Sequence, residues 1–147
     1  MARVTGSKDI SKRKVNQHQQ SDVTALNLDF SKSPTVWKFL NDGSFVRGLM
    51  GPVGSGKSYA CASEIMLRAL QQPVSPLDNT RHSRFVVVRN SYPELRTTTI
   101  KTWLEIFDEA TWGQMRWSPP LTHHIQLPPK GKLAGLDMEV IFLALYS

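Results

Sequence analysis

Eight consecutive residues, Gly51-Pro52-Val53-Gly54-Ser55-Gly56-Lys57-Ser58, carry the clearest chemistry in the sequence. They fit G-x-x-x-x-G-K-[ST], the spacing of a phosphate-binding loop. Glycines let the backbone curl until successive N–H groups point inward at phosphate oxygens. A lysine after the last glycine can reach the β- and γ-phosphates of a nucleotide, and the neighbouring hydroxyl can ligate Mg²⁺. Lys57 and Ser58 hold those two positions, and the amides of Val53 to Lys57 form the expected cradle. Gly51, Pro52, Val53, Gly54, Ser55, Gly56, Lys57, Ser58 and Tyr59 are therefore the expected nucleotide-binding stretch, with ATP and Mg²⁺ as ligands.

Such a loop works only between a strand and a helix. Phe45-Val46-Arg47-Gly48-Leu49-Met50 reads as a short strand entering it. Ser58 to Leu70 reads as a helix, with Ala62, Ile65, Met66, Ala69 and Leu70 at three-to-four-residue spacing. The lone cysteine, Cys61, lies in that helix and is expected to be a small buried residue. One cysteine permits no internal disulfide and fits a reducing compartment.

Upstream, Thr35-Val36-Trp37-Lys38-Phe39-Leu40 reads as a short helix with Ser33 or Thr35 as its cap. Trp37 and Phe39 are core or surface aromatics with an alternative place beside a nucleobase. Downstream, Gln71 to Arg84, with Pro73, Pro76, Asp78 and Asn79, reads as a long exposed connection. Phe85-Val86-Val87-Val88 is apolar on both faces, the pattern of a buried parallel strand. Ser91 and Glu94 have capping-box spacing, and Ile100, Trp103, Leu104 and Phe107 line one face of the helix that follows.

The last third changes character. Trp112-Gly113 to Pro119-Pro120 reads as loop, with Trp117 over the core. His124–Leu127 and Met138–Leu143 read as two strands of an antiparallel pair. His123 and His124 would face opposite sides of their strand, which argues against a shared metal. The fold class expected is α/β: a parallel sheet of the phosphate-loop NTPase type flanked by helices, forming a partial domain, with an antiparallel strand pair near the C-terminus.

Among 147 residues the formal net charge is +6. Residues 1–21 hold Arg3, Lys8, Lys12, Arg13 and Lys14 against Asp9, so most of the excess sits there. Residues 1–32 read as a basic disordered tail and 33–147 as the partial ATPase domain. With a mean hydropathy of −0.29 and no apolar run near the roughly 20 residues of a membrane span, no membrane partner is expected.

A phosphate-loop ATPase also needs an apolar strand ending in Asp or Glu, which holds Mg²⁺ and orients water. Phe85–Val88 ends in Arg89-Asn90, and Ile141–Leu145 ends in Tyr146-Ser147. Asp137 precedes the last strand and Glu139 lies within it, so neither stands where that acid belongs.

Trp37 to Leu40, Gly48 to Ser58 and Val87 to Trp103 resemble the large terminase subunit of tailed bacteriophages, as do Pro119 to Ile125 and Met138 to Leu145. The resemblance covers roughly residues 33–145, and Arg89-Asn90-Ser91-Tyr92-Pro93-Glu94-Leu95-Arg96 is its most specific part. It implies an ATPase domain in a homo-oligomeric ring on the procapsid portal, in the host cytoplasm. Double-stranded DNA, the portal protein and the small terminase subunit are the implied partners. Ring motors place a neighbour's arginine beside the γ-phosphate, and Arg89, with Arg96 second, is the position this implies. The family's Walker B acid and nuclease domain have no counterpart in these 147 residues, so the expectation is a truncated or split reading frame with no turnover by itself. The alternatives are another phosphate-loop NTPase or nucleotide kinase fragment, and a nucleotide-binding fragment without turnover.

Overall fold

The computed structural model describes residue 30 and residues 32–146; the basic tail expected over 1–32 lies almost wholly outside them. Among the described residues, five helices and four strands follow in the order α1 (Pro34–Asn41), α2 (Lys57–Leu70), β1 (Thr80–Ser91), α3 (Tyr92–Glu94), a π-helical turn (Leu95–Ile100), α4 (Lys101–Ile106), α5 (Glu109–Trp112), β2 (Met115–Arg116), β3 (Leu121–Leu127) and β4 (Gly135–Tyr146). The result is a mixed α/β structure.

The sheet runs β1-β4-β3-β2. β1 and β4 are parallel, in register from Thr80 opposite Gly135 to Ser91 opposite Tyr146. β3 and β4 form the expected antiparallel pair, and β2 adds antiparallel to β3. Gly135 is required where the hairpin meets β1. A Cβ there would lie 2.8 Å from the Leu127 carbonyl oxygen and 2.9 Å from Thr80 Oγ1, closer than backbone can yield.

One face of the sheet carries the core. Met138, Val140 and Phe142 of β4 and Leu121 and Ile125 of β3 meet Met66 and Ala69 of α2 and Ile100, Trp103 and Phe107 of the helical run. Of the periodic residues read from the sequence, Ala62, Met66, Ala69, Ile100, Trp103 and Phe107 are buried, and Ile65, Leu70 and Leu104 are partly buried against them. Trp103 is the hub, its ring centroid 4.4 Å from that of Phe107 and 5.7 Å from that of Phe142. Its Nε1–H donates to His123 Nδ1 at 2.8 Å, and His123 Nε2–H donates to the Gly113 carbonyl at 2.7 Å. Those two contacts fix one neutral tautomer, and burial pushes the His123 pKa below its ordinary value. His124 faces the other way and is exposed, as strand alternation requires.

Several expectations are corrected. No strand forms over 45–50: the segment is irregular, and Phe45, Val46 and Met50 stand in solvent. β1 begins at Thr80, which shortens the connection after α2 to residues 71–79. Its valines are not buried on both faces. Among the described residues β1 pairs only with β4, and Val86 and Val88 remain 52% and 50% exposed. Leu143 and Leu145 share that exposure on β4, so the helices cover one side of this end of the sheet and, among the described residues, nothing covers the other. Farther along the open face the surface turns polar, with Arg84 Nε 2.5 Å from Glu139 Oε2 and Asp137 between His82 and His124. Cys61 is exposed rather than buried, because it falls off the apolar stripe of α2. Ser33 gives α1 no side-chain cap. Trp117 does not cover the core; it is 43% exposed.

Candidate functional site

Residues 51–56 form the turn leading into α2, and Lys57 is its first helical residue. Gly54 and Gly56 both have φ of +79°, a left-handed conformation that side chains rarely adopt. Gly51 is less constrained, since the atom nearest a Cβ on it would be Ser55 Oγ at 2.9 Å, the end of a side chain that can turn away. The turn closes through Ser55 N–H on the Pro52 carbonyl at 3.3 Å, and the helix opens with Ala60 N–H on the Gly56 carbonyl at 2.9 Å.

Lys57 reaches back over this turn. Its Nζ donates to the Gly51 carbonyl at 2.7 Å, the Pro52 carbonyl at 2.5 Å and Ser55 Oγ at 3.0 Å. The ammonium group is thus fixed against the start of the loop instead of extending into water. Ser58 and Tyr59 follow on the first turn of α2, both exposed, so the Ser58 hydroxyl is open to a ligand beside the lysine. The residues between Gly51 and Gly56 are exposed too, leaving the loop accessible. A fourteen-residue helix directs its positive dipole end at the same place. The turn thus brings together one cation, Lys57, an exposed hydroxyl on Ser58 and the start of a helix.

The loop is held by contacts the sequence reading did not single out. Glu64 of α2, 7% exposed, accepts from both Arg47 Nη2 and Arg68 Nε at its Oε1 atom, the latter at 2.5 Å. Arg47 Nη1 also donates to the Phe39 carbonyl at 2.8 Å, and its guanidinium lies 4.8 Å from the centre of the Phe39 ring. Arg68 Nη2 donates to the Asp42 carbonyl at 3.1 Å. The i,i+4 spacing of Glu64 and Arg68 was a visible signal for half of this arrangement. Nothing local pointed to Arg47, seventeen residues away from Glu64.

The other expected site residues are not drawn to the loop. Arg89 is exposed near the C-terminal end of β1, and among the described residues no hydrogen bond or ion pair joins it to residues 51–59. Arg96 lies over aromatic faces, 5.3 Å from the Trp117 ring centre and 5.8 Å from that of Tyr92. Trp37 is 47% exposed, and Phe39 serves Arg47. Ser91 accepts from Glu94 N–H at 3.5 Å, the cap that its spacing announced. Among the described residues no group of three or more His, Cys, Asp or Glu side chains is placed to hold a metal. Compared with known proteins, the chain matches no family model, no curated protein and no solved structure.

Proposed function

We propose that residues 51–59 bind ATP with Mg²⁺, and that the chain is the nucleotide-binding part of a DNA-packaging motor of the large-terminase kind. The observation that carries the binding reading is Lys57, bent back onto the Gly51 and Pro52 carbonyls between two left-handed glycines and a helix start. Lys57 would neutralise charge on the β- and γ-phosphates, and the amides of Val53 to Lys57 would bond their oxygens. Ser58 would hold Mg²⁺, which would supply positive charge beside the phosphates.

The motor reading rests on the resemblance of residues 33–145 to large terminase subunits. In it the domain is of the phosphate-loop NTPase type, with β1 and β4 as the parallel part of its sheet. Arg89 would serve a nucleotide held by a neighbouring copy in a ring. Double-stranded DNA, the portal and the small subunit would be the partners, and the host cytoplasm the compartment.

The test is a titration of a fluorescent ATP analogue with Mg²⁺ into wild type and Lys57→Ala. Charge-assisted contacts to phosphate are worth about 1.5–3 kcal/mol, so affinity should fall roughly ten- to a hundred-fold. Equal affinity in the two proteins would remove the assignment.

A further inference from the structure

The chain ahead of the phosphate loop has no strand to hold it, yet it does not stand free. Arg47, four residues before Gly51, is fastened to Glu64, which lies seven residues beyond Lys57 on α2. The loop is therefore closed by two side chains of the helix that leaves it: Lys57 holds its first carbonyls, and Glu64 holds the entering segment through Arg47. Arg68 brings Asp42 to the same carboxylate, and Arg47 brings Phe39, so α1 and its exit are tied in as well. The links through Arg47 and Arg68 meet at one oxygen, Glu64 Oε1.

We propose that Glu64 is the positioning residue of the phosphate loop, an inference that rests on the nucleotide-binding reading for its consequence but not for its geometry. Without the carboxylate, two guanidinium groups converge with no counter-charge between them. The Arg47 side chain is only 14% exposed and cannot hydrate fully where it stands. It leaves, and the entering segment leaves with it, because no sheet hydrogen bond retains residues 44–50 among the described residues. The start of the loop is then held by Lys57 alone, and once that ammonium turns to a phosphate the amides must be ordered by the ligand.

The experiment uses the full chain with Glu64→Gln, Arg47→Gln and the double variant. Two things are read: affinity for the fluorescent ATP analogue with Mg²⁺, and the backbone amide resonances of Gly54, Gly56 and Lys57 without ligand. Each single variant should weaken binding about ten-fold, a large but ordinary effect for a residue acting through others. The double variant should be no weaker than either single one, since both remove the same link. The loop resonances should move or broaden while that of Ile125, in β3, stays in place. If Glu64→Gln fails to fold, Arg47→Gln decides, because it leaves Glu64 its bond to Arg68 and removes only the tie to the entering segment. Variants that fold with unmoved loop resonances and wild-type affinity overturn the proposal, as do single effects that multiply in the double variant. Should Lys57→Ala bind as well as wild type, the nucleotide reading fails, and the loop resonances still judge Glu64.

Discussion

The segment from Ser44 to Gly56 and the cluster around Trp103 are held by opposite means. In the cluster, Trp103, Phe107, Phe142 and His123 are buried on all sides, and even the polar atoms meet inside it, indole N–H to imidazole and imidazole N–H to carbonyl. In the segment, Phe45, Met50 and Val53 bury nothing, and order depends on Arg47 at one end and α2 at the other. Apolar burial accumulates over many contacts and resists any single loss, whereas a tether of two charged side chains can be cut by one substitution. The phosphate-loop motif lies on the lightly held side. That is the side on which local opening costs least.

The largest effect that bears on this contrast belongs to Trp103. Trp103→Ala removes three ring contacts, to Phe107, Phe142 and His123, and leaves His123 Nδ1 without its donor. It should cost about 3–5 kcal/mol, read as a lowered urea midpoint. A loss below 1 kcal/mol would mean that the cluster is far looser than its packing.

Acid should attack the same place. Because the folded-state pKa of His123 is lowered, the unfolded chain takes up a proton at higher pH than the folded one. Stability is then complete above the unfolded value near 6.5 and falls as the pH drops through it toward the lowered folded value, by at most about 1.4 kcal/mol per pH unit. Urea midpoints at three pH values between about 7.5 and 5 would show the slope, above the range where ordinary carboxylates titrate. His123→Gln keeps a donor and an acceptor but no titration, and should flatten it.

How much of this was legible depended on whether a residue's partner was near in sequence. α2 was readable because Ala62, Met66 and Ala69 repeat along one stripe, and Ser91 as a cap because its partner is three residues on. The tight turn ahead of α2 was readable from its glycines, and Gly54 and Gly56 do have φ of +79°. The partners of β1 were not readable. Phe85 to Val88 is apolar without interruption, and only the strand order reveals that it has an open face. Buried Glu64 was missed for the same reason: its burial makes sense only once Arg47 arrives from the other side of the loop. The segment 45–50 misled because apolar composition suggests a strand, but a strand exists only where another offers it hydrogen bonds.

A smaller effect separates backbone strain from packing within the loop. Around Gly56 an added Cβ would find open space, so Gly56→Ala meets no neighbour and pays only for its left-handed φ. The expected loss is about 1–2 kcal/mol in thermal or urea stability. A larger loss would show that the loop is packed against something its exposure does not reveal.

The smallest predicted effect tests the contrast most sharply, because the two accounts of one residue give such different values. If residues 45–50 were a core strand, as their composition suggests, Phe45→Ser would open a cavity and strand a hydroxyl inside it, at a cost of about 3–5 kcal/mol. In the structure the Phe45 side chain is fully exposed and contributes no burial to lose. Its replacement should therefore change the urea midpoint by an amount worth no more than about 0.5 kcal/mol in either direction. The neighbouring Arg47 and its tie to Glu64 would be untouched, so affinity for the ATP analogue should hold as well. A loss of several kcal/mol would place Phe45 in a core, restore the strand ahead of the loop, and make apolar burial rather than an ion pair the means by which the loop is held.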